Sequence, residues 1–314
     1  MNYFFHEAGH ACILAWQTDN YSRQGGSMRQ PQIQSVNISN SRIKDLFHQV
    51  SPPVENLYIQ SDNVDDLLAR PRVAIVGSRK ITAYGKAVTR HLSSELAGQG
   101  IVIVSGLAYG VDAVAHTAAL EAGGLTIAVL PSSLEDIYPS AHNGLARRII
   151  SQGGALLTEY PPGTPAYKSQ FVERNRIVSA VSCALLITEA AINSGTMHTA
   201  RFALEQGKDV LAVPGNITSA TSAGTNNLIK SGAIAVTETA DVLRVLGLTP
   251  LARRQPAGAT PQEQRILDLM TTTGNGDQLL SMSELSTPEF NQALTMLEIT
   301  GKIVSLGANQ WAVA

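Results

Sequence analysis

From Val73 onward the chain keeps a rhythm that few folds can accommodate. Seven short apolar runs, Val73–Val76, Ile101–Val104, Leu125–Leu130, Ala155–Leu157, Ala184–Ile187, Val210–Val213 and Ala233–Val236, alternate with segments of helical spacing. The runs are rich in β-branched residues and closed by Gly, Ser or Pro, as strands buried on both faces are. The segments between them, among them Tyr84–Gln99, Val111–Ala122, Leu145–Gln152, Thr196–Gln206 and Asn226–Lys230, read as helices. Strands alternating with helices predict a doubly wound, mostly parallel α/β sheet, with right-handed crossovers placing helices on both faces.

The flanks read differently. Residues 1–27 end in a composition break at Gly25-Gly26-Ser27 and form an extension of unclear role, so the α/β domain is set at 28–248. Within it, Glu55–Ser61 is expected to be an extended strand. The Pro/Ala/Arg stretch at 249–260 is a linker. Beyond it, 261–314 holds a helix at Glu263–Met270, a short one near Met282–Leu285, a third at Pro288–Ile299, and two small strands, Ile303–Leu306 and Gln310–Val313. Three helices and a hairpin make a winged-helix-like pattern. Its third helix has no Lys or Arg, a poor composition for phosphate contacts and a better one for a protein-contact module.

Ligands of an open α/β sheet sit outside the carboxyl ends of the strands. The first strand ends in Gly77-Ser78-Arg79-Lys80 and the second in Ser105-Gly106-Leu107-Ala108-Tyr109-Gly110. Glycine lets a phosphate approach the backbone, a following helix N-terminus offers N–H donors, and Arg79 offers a fork. Arg174-Asn175-Arg176 follows Phe171 in an otherwise apolar helix, where packing gives no reason for two cations; an ion pair with Glu159 or Glu189 is the structural alternative. Asn193-Ser194-Gly195-Thr196, Pro214-Gly215-Asn216 and Gly224-Thr225-Asn226 repeat the small polar turn. Five such loops on one edge imply a nucleotide or an extended polyanion.

Several functions are excluded. Gly85-Lys86 is followed by Ala87 and has no glycine five residues earlier, so there is no P-loop. Neither Gly77 nor Gly106 opens a dinucleotide fingerprint, and no Gly-x-Ser-x-Gly elbow occurs. His6-Glu7-Ala8-Gly9-His10 has the helical spacing of a zinc hydrolase but no convincing third ligand, so no metal, cofactor or catalytic residue is assigned. Cys12 and Cys183 make neither a disulfide framework nor metal spacing. No apolar run approaches the roughly 18 residues of a membrane span, and the N-terminus lacks a basic lead, so a cytoplasmic protein is expected. The net charge is −2; a site for a polyanion must therefore be a local cluster of cations.

Taken together, these loops resemble the DNA-processing protein A (DprA/Smf) family. The resemblance rests on VAIVGSR (Val73–Arg79), VSGLAYGVDAVAH (Val104–His116), Ile137-Tyr138-Pro139, FVERNRIVSA (Phe171–Ala180), ITEAAINSGTMHTARFA (Ile187–Ala203), AVPGN (Ala212–Asn216) and SAGTNNLIKSGA (Ser222–Ala233), in the family's order. It implies an extended Rossmann-like fold that binds single-stranded DNA without turnover. It also implies a homodimer that protects incoming DNA and loads the RecA recombinase in natural transformation and recombination. By residue match, Gly77, Ser78, Arg79, Ser105, Gly106, Arg174, Asn175 and Arg176 would line the strand. Lys168, Ser194 and Gly195 are added as phosphate contacts, and Phe171 or Tyr109 as a stacking face. Val172 stands where the family often has Pro, and no clear helical domain precedes Ser51. The rival is a phosphoribohydrolase-like enzyme on a related fold, but that pattern places a Glu three residues after the Gly-Thr turn, where this chain has Thr199.

Overall fold

The computed structural model describes residues 31–41, 43–250 and 257–313. The 1–27 extension, with its HEAGH stretch and Cys12, lies outside the described residues. The chain divides after Pro250 into two compact units.

In the first unit, β1 (Ile33–Asn37) pairs antiparallel with β2 (Asn56–Gln60), the strand expected near Glu55–Ser61. α1 (Val64–Ala69) leads into β3 (Arg72–Val76), α2 (Ala83–Gly98), β4 (Val102–Ser105), α3 (Val111–Glu121), β5 (Thr126–Val129), α4 (Asn143–Ser151) and β6 (Ala155–Thr158). α5 (Gln170–Ala180), β7 (Ala184–Ile187), α6 (Thr196–Glu205), β8 (Asp209–Ala212), α7 (Ala223–Lys230), β9 (Ile234–Ala235) and α8 (Thr239–Val245) complete it. The nine strands lie in the order β1-β2-β6-β5-β4-β3-β7-β8-β9. β3 to β9 run parallel, and β2 joins them antiparallel to β6.

Every residue of β3, β4, β5, β6 and β7 is buried, because helices cover both faces of the sheet. Alternation along β3 assigns the layers. Ala74 and Val76 join Ile177 of α5 and Ala200 of α6, whereas Val73 and Ile75 join Leu92 and Leu96 of α2 and Ala115 of α3. Arg72 is the buried exception, and its guanidinium donates to the carbonyls of Leu68, Arg70 and Val181. β9 is a two-residue exposed edge, shorter than the Ala233–Val236 run. α8 was not apparent in the sequence; a capping box of Glu238 and Asp241 starts it, and Val242, Leu243 and Leu246 bury it.

Because β4, β5 and β6 lie on one side of β3 and β7, β8 and β9 on the other, the order reverses between β3 and β7. A crevice opens at the carboxyl ends of strands at such a point.

The second unit holds α9 (Pro261–Leu269), α10 (Gly276–Ser283), α11 (Thr287–Ile299) and the hairpin β10 (Ile303–Gly307) and β11 (Gln310–Val313), around Ile266, Leu279, Phe290 and Leu297. α10 begins six residues before the expected 282–285 segment. The Asn275 side chain accepts from the N–H groups of Asp277 and Gln278 at its start, and Glu284, with φ +60°, ends it. No described helix is long and apolar enough to cross a membrane.

Candidate nucleic-acid interface

A cleft of about 770 Å³ opens at the strand-order reversal. Its floor and walls come from the β3–α2 turn, the β4–α3 turn, Tyr138, the approach to α5 and its first turns, and the β7–α6 turn.

The β3–α2 turn is held from two sides. Ser78 N–H donates to the Glu189 carbonyl at 2.7 Å, and the Glu189 carboxylate accepts from Thr82 N–H at 3.0 Å and its hydroxyl at 3.2 Å. Glu189 therefore fixes the entry to α2, where the sequence suggested a partner for Arg174 or Arg176. The turn projects Arg79 and Lys80 into solvent.

The β4–α3 turn is clamped at one residue. Gly106 N–H donates to Asp112 Oδ2 at 3.1 Å, as does Ala108 N–H at 3.3 Å. The Gly106 carbonyl accepts from Arg174 Nη1, which also reaches the Val129 carbonyl. Glycine is required here, since a Cβ on residue 106 would lie 2.4 Å from the Arg174 guanidinium. Burial raises the Asp112 carboxyl above the usual range, with the Arg174 charge and the N–H donors acting against it. Burial likewise lowers Arg174 to about 10, which leaves it charged at neutral pH. Asp112 thus satisfies backbone groups.

Around this floor the exposed side chains carry the chemistry. Arg79 sits over the Phe171 ring at 5.0 Å from its centroid, a cation–π geometry, and Tyr138 meets the same ring edge-on at 5.2 Å. Lys168 is exposed on the approach to α5. Asn175 faces the cleft and its Oδ1 accepts from Arg174 Nε at 3.2 Å. On the far wall, Ser194 Oγ accepts from Thr196 N–H at 3.2 Å and shapes the start of α6.

Of the residues singled out from sequence, the fold gathers Gly77, Ser78, Arg79, Gly106, Lys168, Phe171, Arg174, Asn175, Ser194 and Gly195 around one cleft. It does not bring Ser105, Arg176 or Tyr109 to that lining. Ser105 is fully buried, its hydroxyl donating to the Ile75 carbonyl at 2.6 Å. Arg176 is 3% exposed and pairs with Glu159 at 2.5 Å, because it leaves α5 two residues after Arg174, on a different face.

Two family models match the chain: DNA recombination-mediator protein A over residues 36–247, and the DprA winged helix domain over residues 250–309. The chain belongs to the DNA recombination-mediator protein A family. The putative DNA processing protein DprA of Mycobacterium tuberculosis is 37% identical over 265 residues, 79% of this chain and 68% of that protein. The X-ray structure of DNA processing protein A from Streptococcus pneumoniae superposes with a TM-score of 0.62 at 36% identity, over 68% of this chain and 74% of the other. DNA processing protein A of Helicobacter pylori, solved for its single-stranded DNA binding mode, gives a TM-score of 0.61 at 35% identity, over 69% and 96%. In this member of the family, Lys80, Asn193 and Thr196, which the sequence placed in the small polar turns without assigning them to the strand, also line the cleft, as does Tyr138. The sequence signal for Tyr138 was its Ile-Tyr-Pro turn. Lys80 stands beside Arg79 in the first of the small polar turns, one of the local cations a polyanion site would need.

Proposed function

We propose that this chain binds single-stranded DNA in the cleft at the carboxyl edge of its sheet, and that it does so without chemical turnover. One observation carries the proposal: Arg79, Lys80 and Lys168, all exposed, converge on an opening whose wall carries the Phe171 and Tyr138 rings. Cations can neutralise phosphates while rings accept unstacked bases, and only a single strand offers both. Gly77, Ser78, Asn175, Ser194 and Gly195 would supply close backbone and amide contacts. Ser105, Arg174 and Arg176 would act from beneath, Arg174 by holding the Gly106 peptide. The family's description as a recombination mediator supports passing the strand to a RecA recombinase; the homodimer, the guarding of the strand and the role in natural transformation rest on the family resemblance alone. The single-stranded DNA binding mode described for the Helicobacter pylori protein supports the ligand.

The test is fluorescence anisotropy of a labelled oligo-dT, with duplex DNA as competitor. Arg79→Ala and Lys168→Ala should each weaken binding roughly tenfold, as loss of one charge-assisted contact does. Unchanged affinity in both variants, or preference for duplex, would overturn the assignment. Handover is checked by RecA filament formation on DNA coated with single-strand-binding protein, with and without this chain.

A further inference from the structure

The rim of the cleft carries a second aromatic pair, built on Tyr109, which the resemblance offered only as an alternative to Phe171 and which lies outside the cleft lining. The turn from Tyr138 to His142 supplies one ring to each pair. Tyr138 meets Phe171 inside the cleft, and His142 meets Tyr109 edge-on at 4.9 Å, just outside it. Tyr109 follows Ala108, which lines the cleft, so the two sites adjoin. Tyr109 is 50% exposed, much like Tyr138 at 47%. A tyrosine serving the core would be buried; this one is fixed in place with half its surface in water.

The backbone beneath Tyr109 is built to hold it there. Leu107 is fully buried yet has φ +56°, a left-handed conformation that non-glycine residues rarely adopt. Gly110, with φ +78°, closes the turn on the other side. Between these two reversals only Ala108 and Tyr109 face outward, and Asp112 pins Ala108 by its N–H. His142 is itself oriented, its Nδ1–H donating to the Leu107 carbonyl at 2.7 Å. Ring, support and backbone are thus tied into one unit. Strain of this kind persists only where the surroundings over-determine it, and it gathers at ligand clamps.

We propose that Tyr109, held by His142, is a second base-stacking platform, so that a strand seated against Phe171 and Tyr138 continues over Ala108 and lays a further base on Tyr109. The platform rests on the cleft being the single-strand site. Its ligand is the face of a nucleobase, which makes it tolerant of sequence.

The test uses the full chain and an oligo-dT series carrying one abasic site stepped along the strand. Tyr109→Ala should weaken binding of the intact strand about tenfold, and Tyr109→Phe by less than about twofold. The Tyr109→Ala loss should vanish at one abasic position only, different from the position at which Phe171→Ala loses its effect. His142→Ala should diminish the same position-specific coupling, and His142→Phe, which keeps a ring, should restore part of it. If Arg79→Ala weakens binding while Tyr109→Ala does not, the platform is wrong and the cleft assignment stands. If neither variant weakens binding, the cleft assignment fails and the platform with it. A loss equal at every abasic position, or a lowered melting temperature accounting for it, would show that Tyr109 acts through the fold and would overturn the platform.

Discussion

At the scale of single residues, the backbone of Gly106 decides how the cleft is held. Its N–H is fixed by Asp112 and its carbonyl by Arg174, so a buried acid and a buried base hold the two peptide units that flank one Cα. Removing one of them strands the other in a dry environment, which costs about 3–5 kcal/mol. Arg174→Met should therefore destabilise the protein by about that amount in urea melts, and adding Asp112→Asn should recover more than half of it. No recovery would mean that the two groups are energetically independent. His116 gives a second residue-level test. It is fully buried, and desolvation, with Arg174 and His142 nearby, lowers it to about 3. The unfolded chain takes up this proton near pH 6.5 and the folded chain does not, so the unfolded state binds more protons between about pH 6.5 and about 3. Stability should fall with acidification across that window, by about 2 kcal/mol from pH 6.5 to 5. A His116→Gln variant should lose that part of the slope, and an unchanged slope would assign it elsewhere. Sequence showed the charges at 112, 174 and 176 but not their directions. Whether an arginine meets solvent, a carbonyl or a carboxylate depends on which helix face it leaves, and on elements far away in the chain.

At the scale of elements, the alternation of apolar runs and helical segments was sufficient to read the sheet, because strands buried on both faces need apolar residues at every position. The same logic hides β1 and α8, whose burial depends on one partner surface and whose patterns are too short to stand out. α10 was misplaced because its boundary is set by an Asn cap and a left-handed Glu284, both weaker signals than an apolar run. The connection between β4 and α3 is where an element-level change should reach function. A Cβ on Gly110 would come within 2.1 Å of the Ser78 carbonyl, and the residue already has φ +78°. Ser78 O in turn accepts the first N–H of α3, from Val111, at 3.1 Å. Gly110→Ala should push the two turns apart, costing about 1–3 kcal/mol of stability and displacing Arg79. Oligo-dT affinity should drop with it, even though residue 110 offers no side chain to DNA. A stable variant that binds normally would show that Arg79 does not depend on this packing.

At the scale of the whole molecule, the question is how a chain of net charge −2 attracts a polyanion. The two units differ in what they bring. The first gathers Arg79, Lys80 and Lys168 on one rim, whereas residues 261–314 carry six carboxylates against Arg265 and Lys302 alone. The family match for the second unit is a winged helix, a fold that in other proteins lays a helix in a DNA groove, yet α11 contains no Lys or Arg. Its composition suits contact with protein, and an acidic unit repels phosphate. Binding to single strands should therefore be electrostatically local. Three neutralised phosphates predict a slope of log K against log salt of about −2, since each contributes about −0.7 on a single strand. Lys168→Ala should shrink the slope by about 0.7. Truncation after Pro250 should leave it unchanged, or raise low-salt affinity slightly as the carboxylates depart. Loss of two or more units of slope on truncation would instead place the phosphate contacts in the second unit, and the cleft would have to be reassigned.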